Sequence, residues 1–279
     1  MKKLCDLHTH STASDGSLTP TQLVELAKDT GLTAIALSDH NTVEGLPEFL
    51  QAGEKYGVET VPAVEFSTEF EGTELHIIAM FVKPQYYETI TARMDDFKVR
   101  KEKSNIDLVF ALQKAGFALD YDRIREGHSY VNRAHIGQEL TRLGYTGSVR
   151  EAFETYLSAK HGYYVPPKRQ DALETVDFIK SMGAVAVLAH PFLDLDEAGL
   201  RKFLPLAKTH GLDAMETMYS RFDPDMEKLA KAMAEEFGIL QSGGSDFHGT
   251  VKPDVALGKG RGNMEIPYEI LEKLKAKKL

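Results

Sequence analysis

Near its start the chain reads Asp6-Leu7-His8-Thr9-His10-Ser11, and Asp15-Gly16 follows five residues after His10. Read as a strand, this stretch puts Asp6, His8 and His10 on one face and Cys5, Leu7 and Thr9 on the other, because side chains alternate along a strand. Two imidazoles on one face near a strand end, with carboxylates close by, are the beginning of a metal site. One His-x-His alone is weak evidence. Its weight comes from recurrence.

Each further candidate sits at or just past the end of an apolar run. Ser38-Asp39-His40-Asn41-Thr42 closes the second predicted strand, Val64-Glu65-Phe66 lies near the end of the third, and His76 opens the next. Leu188-Ala189-His190-Pro191 ends a later strand, and Gly244-Ser245-Asp246-Phe247-His248-Gly249 ends the last, again with two ligand types two residues apart. In a βα barrel such strand ends converge at one mouth, so residues distant in sequence meet there. Taken singly, each is a hydrogen-bonded strand-end histidine or a capping aspartate. Six of the ten histidines at such positions, with Asp15, Glu65 and Asp246, form a pattern. His210 ends a helix, where a cation meets the dipole favourably, and reads as structural.

The set His8, His10, Asp15, His40, Glu65, His76, His190, Asp246 and His248 is too large for one tetrahedral ion. Cys5 is the only cysteine, which excludes an intrachain disulfide and a thiolate cluster. Nitrogen and oxygen donors in this number suit two or three divalent ions such as Mn²⁺, Fe²⁺ or Zn²⁺. Clusters of this kind clamp phosphoryl groups and generate hydroxide near neutral pH. No Walker A loop, GxGxxG after a strand, or GxSxG elbow points to a rival chemistry.

The surrounding pattern is α/β. Leu4–His8, Thr33–Ser38, Glu59–Phe66, Leu75–Val82, Ala184–Ala189, Asp213–Met218 and Ile239–Ser242 read as strands, most of them alternating with helical periodicity. The first helix opens cleanly, with Thr19 as cap, Pro20 at the first helical position and Gln22 completing a capping box, and Gly31 ends it. About seven βα-like steps surround a mainly helical insert. The spacing predicts a barrel from 1–92 and 170–279, with 93–169 covering its mouth. The insert carries 14 Lys/Arg against 10 Asp/Glu, net +4, which leaves −13 on the remainder. That is either solvated helix faces or a basic cap over an acidic, metal-binding mouth.

The totals bound the partners. A net charge of −9 argues against binding long duplex nucleic acid, which relies on many contacts to phosphate. It leaves room for a small phosphorylated substrate held by metal ions, because the ions supply positive charge. No stretch approaches the roughly 20 apolar residues of a membrane span. The N-terminus runs straight into a motif-bearing strand without a secretory signal pattern, so the expected location is the cytoplasm.

By Asp6–Ser11, Asp15-Gly16, Ser38–Thr42, Glu65, His76, Leu188–Pro191 and Gly244–Gly249, the chain resembles the PHP family, the polymerase and histidinol phosphatase superfamily of metal-dependent phosphoesterases. Within the insert, Asn132-Arg133-Ala134-His135-Ile136 resembles the Asn-Arg-Pro-His-Ile segment of members that act on nucleotides. These are nucleoside 3′,5′-bisphosphate phosphatases and 5′→3′ exonucleases on short RNA. The resemblance implies a distorted (βα)₇ barrel with a trinuclear site. His8, His10, Glu65 and Asp246 would hold the first ion; Glu65 would bridge to a second completed by His76 and His190; Asp15, His40 and His248 would hold the third. Two departures stand out, Asn41 where many relatives carry Asp and Ala134 in place of Pro. Asn41 is outside the implied ligand set, so the expectation is an altered surround with the metals retained.

The implied reaction is hydrolysis of a phosphate monoester by a hydroxide bridging two ions across Glu65. The favoured substrate is a nucleoside 3′,5′-bisphosphate losing its 3′-phosphate, with a short oligonucleotide, histidinol phosphate or a non-catalytic scaffold as alternatives. Arg133 is a candidate for a bidentate phosphate contact, with Asn132 and His135 beside it; an ion pair within the insert is the alternative. Lys168 and Arg169 are further candidates. Asp246, His135 or a metal-bound water are each open as the proton donor to the leaving oxygen.

Overall fold

Short apolar runs with turn residues on either side become strands here, and their pairing makes the scaffold. The computed structural model describes residues 2–126, 131–262 and 264–277. The chain forms two compact units, one built from the residues up to Thr91 together with those from Gln170 onward, the other from Ala92–Arg169.

The first unit holds one sheet. Its strands are β1 (Leu4–Asp6), β2 (Ala34–Leu37), β3 (Glu59–Phe70), β4 (Thr73–Met80), β5 (Gln170–Asp171), β6 (Val185–Leu188), β7 (Ala214–Tyr219), β8 (Leu240–Gly244) and β9 (Ile266–Pro267). They lie in the order β8-β7-β6-β4-β3-β2-β1-β9, with β5 paired to β3. Past the end of β1, Leu7 N–H donates to Gly243 O (3.2 Å), Asp246 N–H to His8 O (2.9 Å) and His10 N–H to Phe247 O (2.9 Å). These bonds draw β8 onto β1 and nearly close the sheet into the expected α/β barrel. Cys5, Ala34, Ala36, Val61, Ala63, Ile78, Met80, Val185 and Val187 fill its core.

One strand departs from the βα rhythm. β3 and β4 form an antiparallel hairpin joined by Glu71 and Gly72 alone, both at positive φ (50° and 81°). A two-residue turn of that handedness matches the strands' twist and leaves no room for a helix. The pairing of β4 to β6 is also antiparallel, whereas β1–β2, β2–β3, β6–β7 and β7–β8 are parallel. The start of β4 therefore lies at the same end of the barrel as the C-terminal ends of its neighbours. β9 and the helix Tyr268–Lys275, absent from the sequence reading, add Ile266, Ile270, Leu271 and Leu274 to the core.

The helix Pro20–Asp29 carries the capping box of Thr19 and Gln22, and Gly31 follows it at φ 78°. His210 caps the end of the helix Glu197–Thr209 and pairs with Asp177 (2.8 Å).

The second unit is helical and has its own core, made by Leu108, Leu112, Ile136, Leu140 and Leu157 among others. Many of its charges pair on its own surface, as Lys103 with Asp107 (2.5 Å), Arg125 with Glu102 (3.2 Å) and Arg150 with Glu154 (2.9 Å). Exposed pairs of this kind contribute little to stability. Among the described residues, no helix is long and apolar enough to cross a membrane.

Candidate metal centre

Glu65 is the hub. It lies on β3 on the same side as the core residues Val61 and Ala63, and it is fully buried. Its Oε2 stands 3.3 Å from His8 Nε2, 3.3 Å from His10 Nε2 and 3.0 Å from His40 Nδ1. Its Oε1 stands 2.9 Å from His76 Nδ1 and 3.1 Å from His190 Nε2. Five imidazoles from four strands thus meet one carboxylate. Asp246 Oδ1 adds to the group, at 3.4 Å from His10 Nε2 and 3.3 Å from His248 Nδ1, and Asp15 Oδ1 lies 3.2 Å from His248 Nε2. All nine residues of the expected ligand set come together in the first unit.

Backbone geometry aims them. Asn41, His190 and Asp246 take positive φ (54°, 27° and 57°), a conformation costly for residues other than glycine and concentrated at functional sites. Each stands at the end of a barrel strand, where the turn redirects the chain across the mouth. Asn41 also braces the hub: its N–H donates to Glu65 O (2.9 Å), and its side chain bonds both Ser67 N (3.0 Å) and Ser67 Oγ (2.9 Å). Asp39 accepts from Ser11 N–H (2.8 Å) and from the hydroxyls of Ser11 and Ser14. Those bonds hold the turn that presents Asp15. Gly16 is required in that turn, since a Cβ there would fall 2.4 Å from the His10 carbonyl oxygen.

The electrostatics call for positive charge at the centre. Burial opposes ionisation of Glu65, but His8, His40 and His76 outweigh it and hold its carboxyl well below the usual range. Asp246 behaves alike, burial being outweighed by His10, His8 and Lys252. Asp15 is also held below the ordinary value, by His248, His40 and His10 against the effect of burial. Burial works against charge on His76, yet Glu65 and Glu74 push it up to about 10. His10 goes the other way, pulled to about 3 by burial and by the neighbouring His40 and His248.

The donor set fits divalent cations. His8 Nε2 and His10 Nε2 face each other at 3.0 Å, and among the described residues Glu65 Oε2 and His10 Nδ1 are buried without a hydrogen bond. Converging lone pairs at that spacing are stabilised by a cation between them. Among the described residues, three groups of side chains have ligand atoms close enough to share an ion: His10, Asp15, His40 and His248; His8, His10 and Asp246; His40, Glu65 and His76. They overlap the partition implied by the resemblance without coinciding with it: His10 and His40 each belong to two groups, and His190 belongs to none, joining the cluster through Glu65 Oε1 at 3.1 Å.

Several residues of the site are outside the sequence-based set. Glu216 on β7 accepts from His8 Nδ1 (3.0 Å) and from the His190 N–H (2.6 Å). A lone carboxylate in the buried run Ala214–Tyr219 was the available clue. Tyr219 O–H and Lys252 Nζ both donate to Asp246 Oδ2 (2.7 Å each). Burial and the Asp246 carboxylate push the Tyr219 phenol up, so it remains a donor at ordinary pH. Beside the cluster opens a pocket of about 270 Å³ lined by His40, His76, His190, Tyr219, Arg221 and Lys252 among others.

The candidates of the second unit have local roles. Asn132 caps the helix Arg133–Arg142, and His135 completes a capping box by accepting from Asn132 N–H (3.3 Å). The Arg133 guanidinium lies over Tyr164 (4.3 Å) and Phe153 (5.4 Å) and donates to Leu157 O (3.2 Å), a stacked arrangement within the unit. The Lys168 carbonyl accepts from Arg100 (2.6 Å), and Arg169 is the last residue of the unit.

Known proteins give this geometry its setting. A 5′-3′ exoribonuclease of Haemophilus influenzae is 34% identical over 251 residues, covering 89% of this chain and 91% of the relative. A 3′,5′-nucleoside bisphosphate phosphatase of Chromobacterium violaceum is 28% identical over 259 residues, covering 87% of this chain and 86% of the relative. A solved structure from Bifidobacterium adolescentis, assigned as a metal-dependent phosphoesterase, superposes with a TM-score of 0.82 at 26% identity, covering 99% of this chain and 97% of the other. Phosphate-ester hydrolysis is common to these names, and a buried cluster of imidazoles and carboxylates is the apparatus such hydrolysis uses. The sequence model of the PHP domain matches residues 6–165, from Asp6 beside the first histidine pair to near the end of the second unit, and the chain belongs to that family as a metal-dependent phosphoesterase.

Proposed function

We propose that the enzyme hydrolyses the 3′-phosphate of a small nucleoside 3′,5′-bisphosphate, using two or three Mn²⁺, Fe²⁺ or Zn²⁺ ions. The observation that carries this reading is the pocket of about 270 Å³ beside the cluster, with Arg221 and Lys252 in its wall. That volume suits a phosphorylated sugar, and two cations suit an anionic one. His8, His10, Asp15, His40, Glu65, His76, His190, Asp246 and His248 would hold the ions. When bound, such ions acidify water toward hydroxide and neutralise phosphoryl oxygens.

The chain's own part is positioning and charge. Water adds to phosphorus as the phosphorus–oxygen bond to the sugar breaks, the departing sugar oxygen takes up the proton that the water gives up, and Arg221 and Lys252 neutralise the phosphoryl oxygens. Tyr219 and Lys252 hold one oxygen of Asp246 so that the other faces the histidines. Asn132, Arg133, His135, Lys168 and Arg169 contribute nucleotide recognition in the same proposal. Short RNA is the second reading, favoured by the exoribonuclease name of the Haemophilus influenzae relative.

Phosphate release in Mn²⁺ buffer from adenosine 3′,5′-bisphosphate, a short 5′-phosphorylated RNA and histidinol phosphate tests the choice. A higher kcat/KM for the bisphosphate is expected. Preference for RNA would replace it with the second reading, and preference for histidinol phosphate would overturn both.

A further inference from the structure

Glu216 is a fully buried carboxylate that none of the expected ligand groups includes. Its two oxygens take different partners. Oε1 meets His8 Nδ1 at 3.0 Å, and Oε2 meets the main-chain N–H of His190 at 2.6 Å. His8 in turn approaches Oε2 of Glu65, and His190 approaches Oε1. The same carboxylate therefore stands behind imidazoles that reach both oxygens of the hub.

Each contact has a definite consequence. A carboxylate only accepts, so Nδ1 of a neutral His8 must carry the proton and Nε2 must present its lone pair to the centre. At His190 the backbone stands at φ 27°, ψ 55°, outside the regions ordinary residues prefer. A hydrogen bond to a buried carboxylate holds that amide, and with it the direction of the His190 ring. We propose that Glu216 is a positioning residue that fixes the His8 tautomer and the His190 backbone together, and so sets affinity at two metal positions at once. The inference rests on His8 and His190 being metal ligands, as in the reading above.

Glu216→Gln separates the possibilities by donor count. The amide has one acceptor and one donor end, but both partners are donors. Either the His190 N–H loses its acceptor, or His8 switches tautomer and turns a proton toward the centre. The measurement is metal content per chain after Mn²⁺ loading and dialysis against graded chelator, for wild type, H8A, H190A, E216Q, E216Q/H8A and E216Q/H190A. Ligand partners of this type contribute about 10–100-fold in metal affinity. E216Q should lose metal at 10–100-fold lower chelator concentration, and should lower retention further in both double variants.

If H8A and H190A retain metal as wild type does, the ligand assignment fails. If they lose it and E216Q does not, the positioning role fails. An E216Q effect that vanishes in either double variant would overturn the two-position claim. Should E216Q not fold, Glu216→Asp keeps charge and both acceptors but withdraws them by one methylene. It should lose metal earlier than wild type, and wild-type retention would refute the role.

Discussion

Gly244 is where the barrel closes, and Gly244→Ala tests whether that seam places the site. A Cβ at this position would lie 2.1 Å from His8 Cβ, 2.6 Å from His8 N and 2.8 Å from His8 Cα. No flexible side chain can yield there, because the obstruction is the backbone that carries the first histidine. Relief needs β8 to retreat from β1 by about 1 Å. The bonds at risk are Leu7 N–H to Gly243 O (3.2 Å), Asp246 N–H to His8 O (2.9 Å) and Ser245 N–H to Asp6 Oδ1 (2.8 Å). Two such bonds at about 1 kcal/mol each, with an overpacking cost of about 1–3 kcal/mol, give a loss of about 3–5 kcal/mol. At about 2–4 °C per kcal/mol for a chain of this size class, the melting temperature should fall by about 6–20 °C. The same shift separates His8 from Asp246, and misplacement of about 1 Å costs on the order of 100-fold in rate. Calorimetry and phosphate release measure the two effects, with Gly262→Ala, whose Cβ meets nothing within 4 Å, as the control. A G244A protein that melts within about 1 °C of wild type and turns over at the wild-type rate would refute the argument.

Arg221→Ala should raise KM about 10–100-fold for nucleotide and aryl phosphate alike, since a lost charge-assisted contact is worth about 1.5–3 kcal/mol; an unchanged KM for both would remove Arg221 from the phosphate pocket. Arg133→Ala should raise KM for the bisphosphate far more than for the aryl phosphate, and equal effects would refute nucleotide recognition by that residue. Chelator-treated protein should lose stability as pH rises. His76 is pushed up to about 10, so its stabilising charge is complete below its unfolded value near 6.5 and is lost between there and about 10. A melting temperature that falls by several degrees from pH 6.5 to 9 is expected without metal, and a flat or rising profile would contradict it. Below about pH 4 the depressed carboxyls of Glu65, Asp15 and Asp246 add a second loss as they protonate.

Local chemistry made much of this protein readable in one dimension. His-x-His, Asp-x-His and a histidine before proline each stand at the end of an apolar run, and a barrel gathers such ends. The capping box of Thr19 and Gln22 was equally plain, because its partners are three residues apart. His76 reads as a ligand candidate from sequence, but only the hairpin explains how the start of a strand reaches the mouth. Glu71-Gly72 is not a strong turn signal, so the reversal of β4 was invisible. The Asn132–His135 segment invited a binding role, while the structure also gives it the plain work of capping a helix.

What tertiary structure alone decided is the support behind the ligands. Glu216 meets His8 across 208 residues of chain, Tyr219 meets Asp246 across 27, and Arg221 and Lys252 share a pocket wall by virtue of where two strands end. Periodicity and caps are set by neighbours a few residues apart, so sequence fixes them directly. A hydrogen bond between distant strands depends on register and closure, which the whole sheet determines.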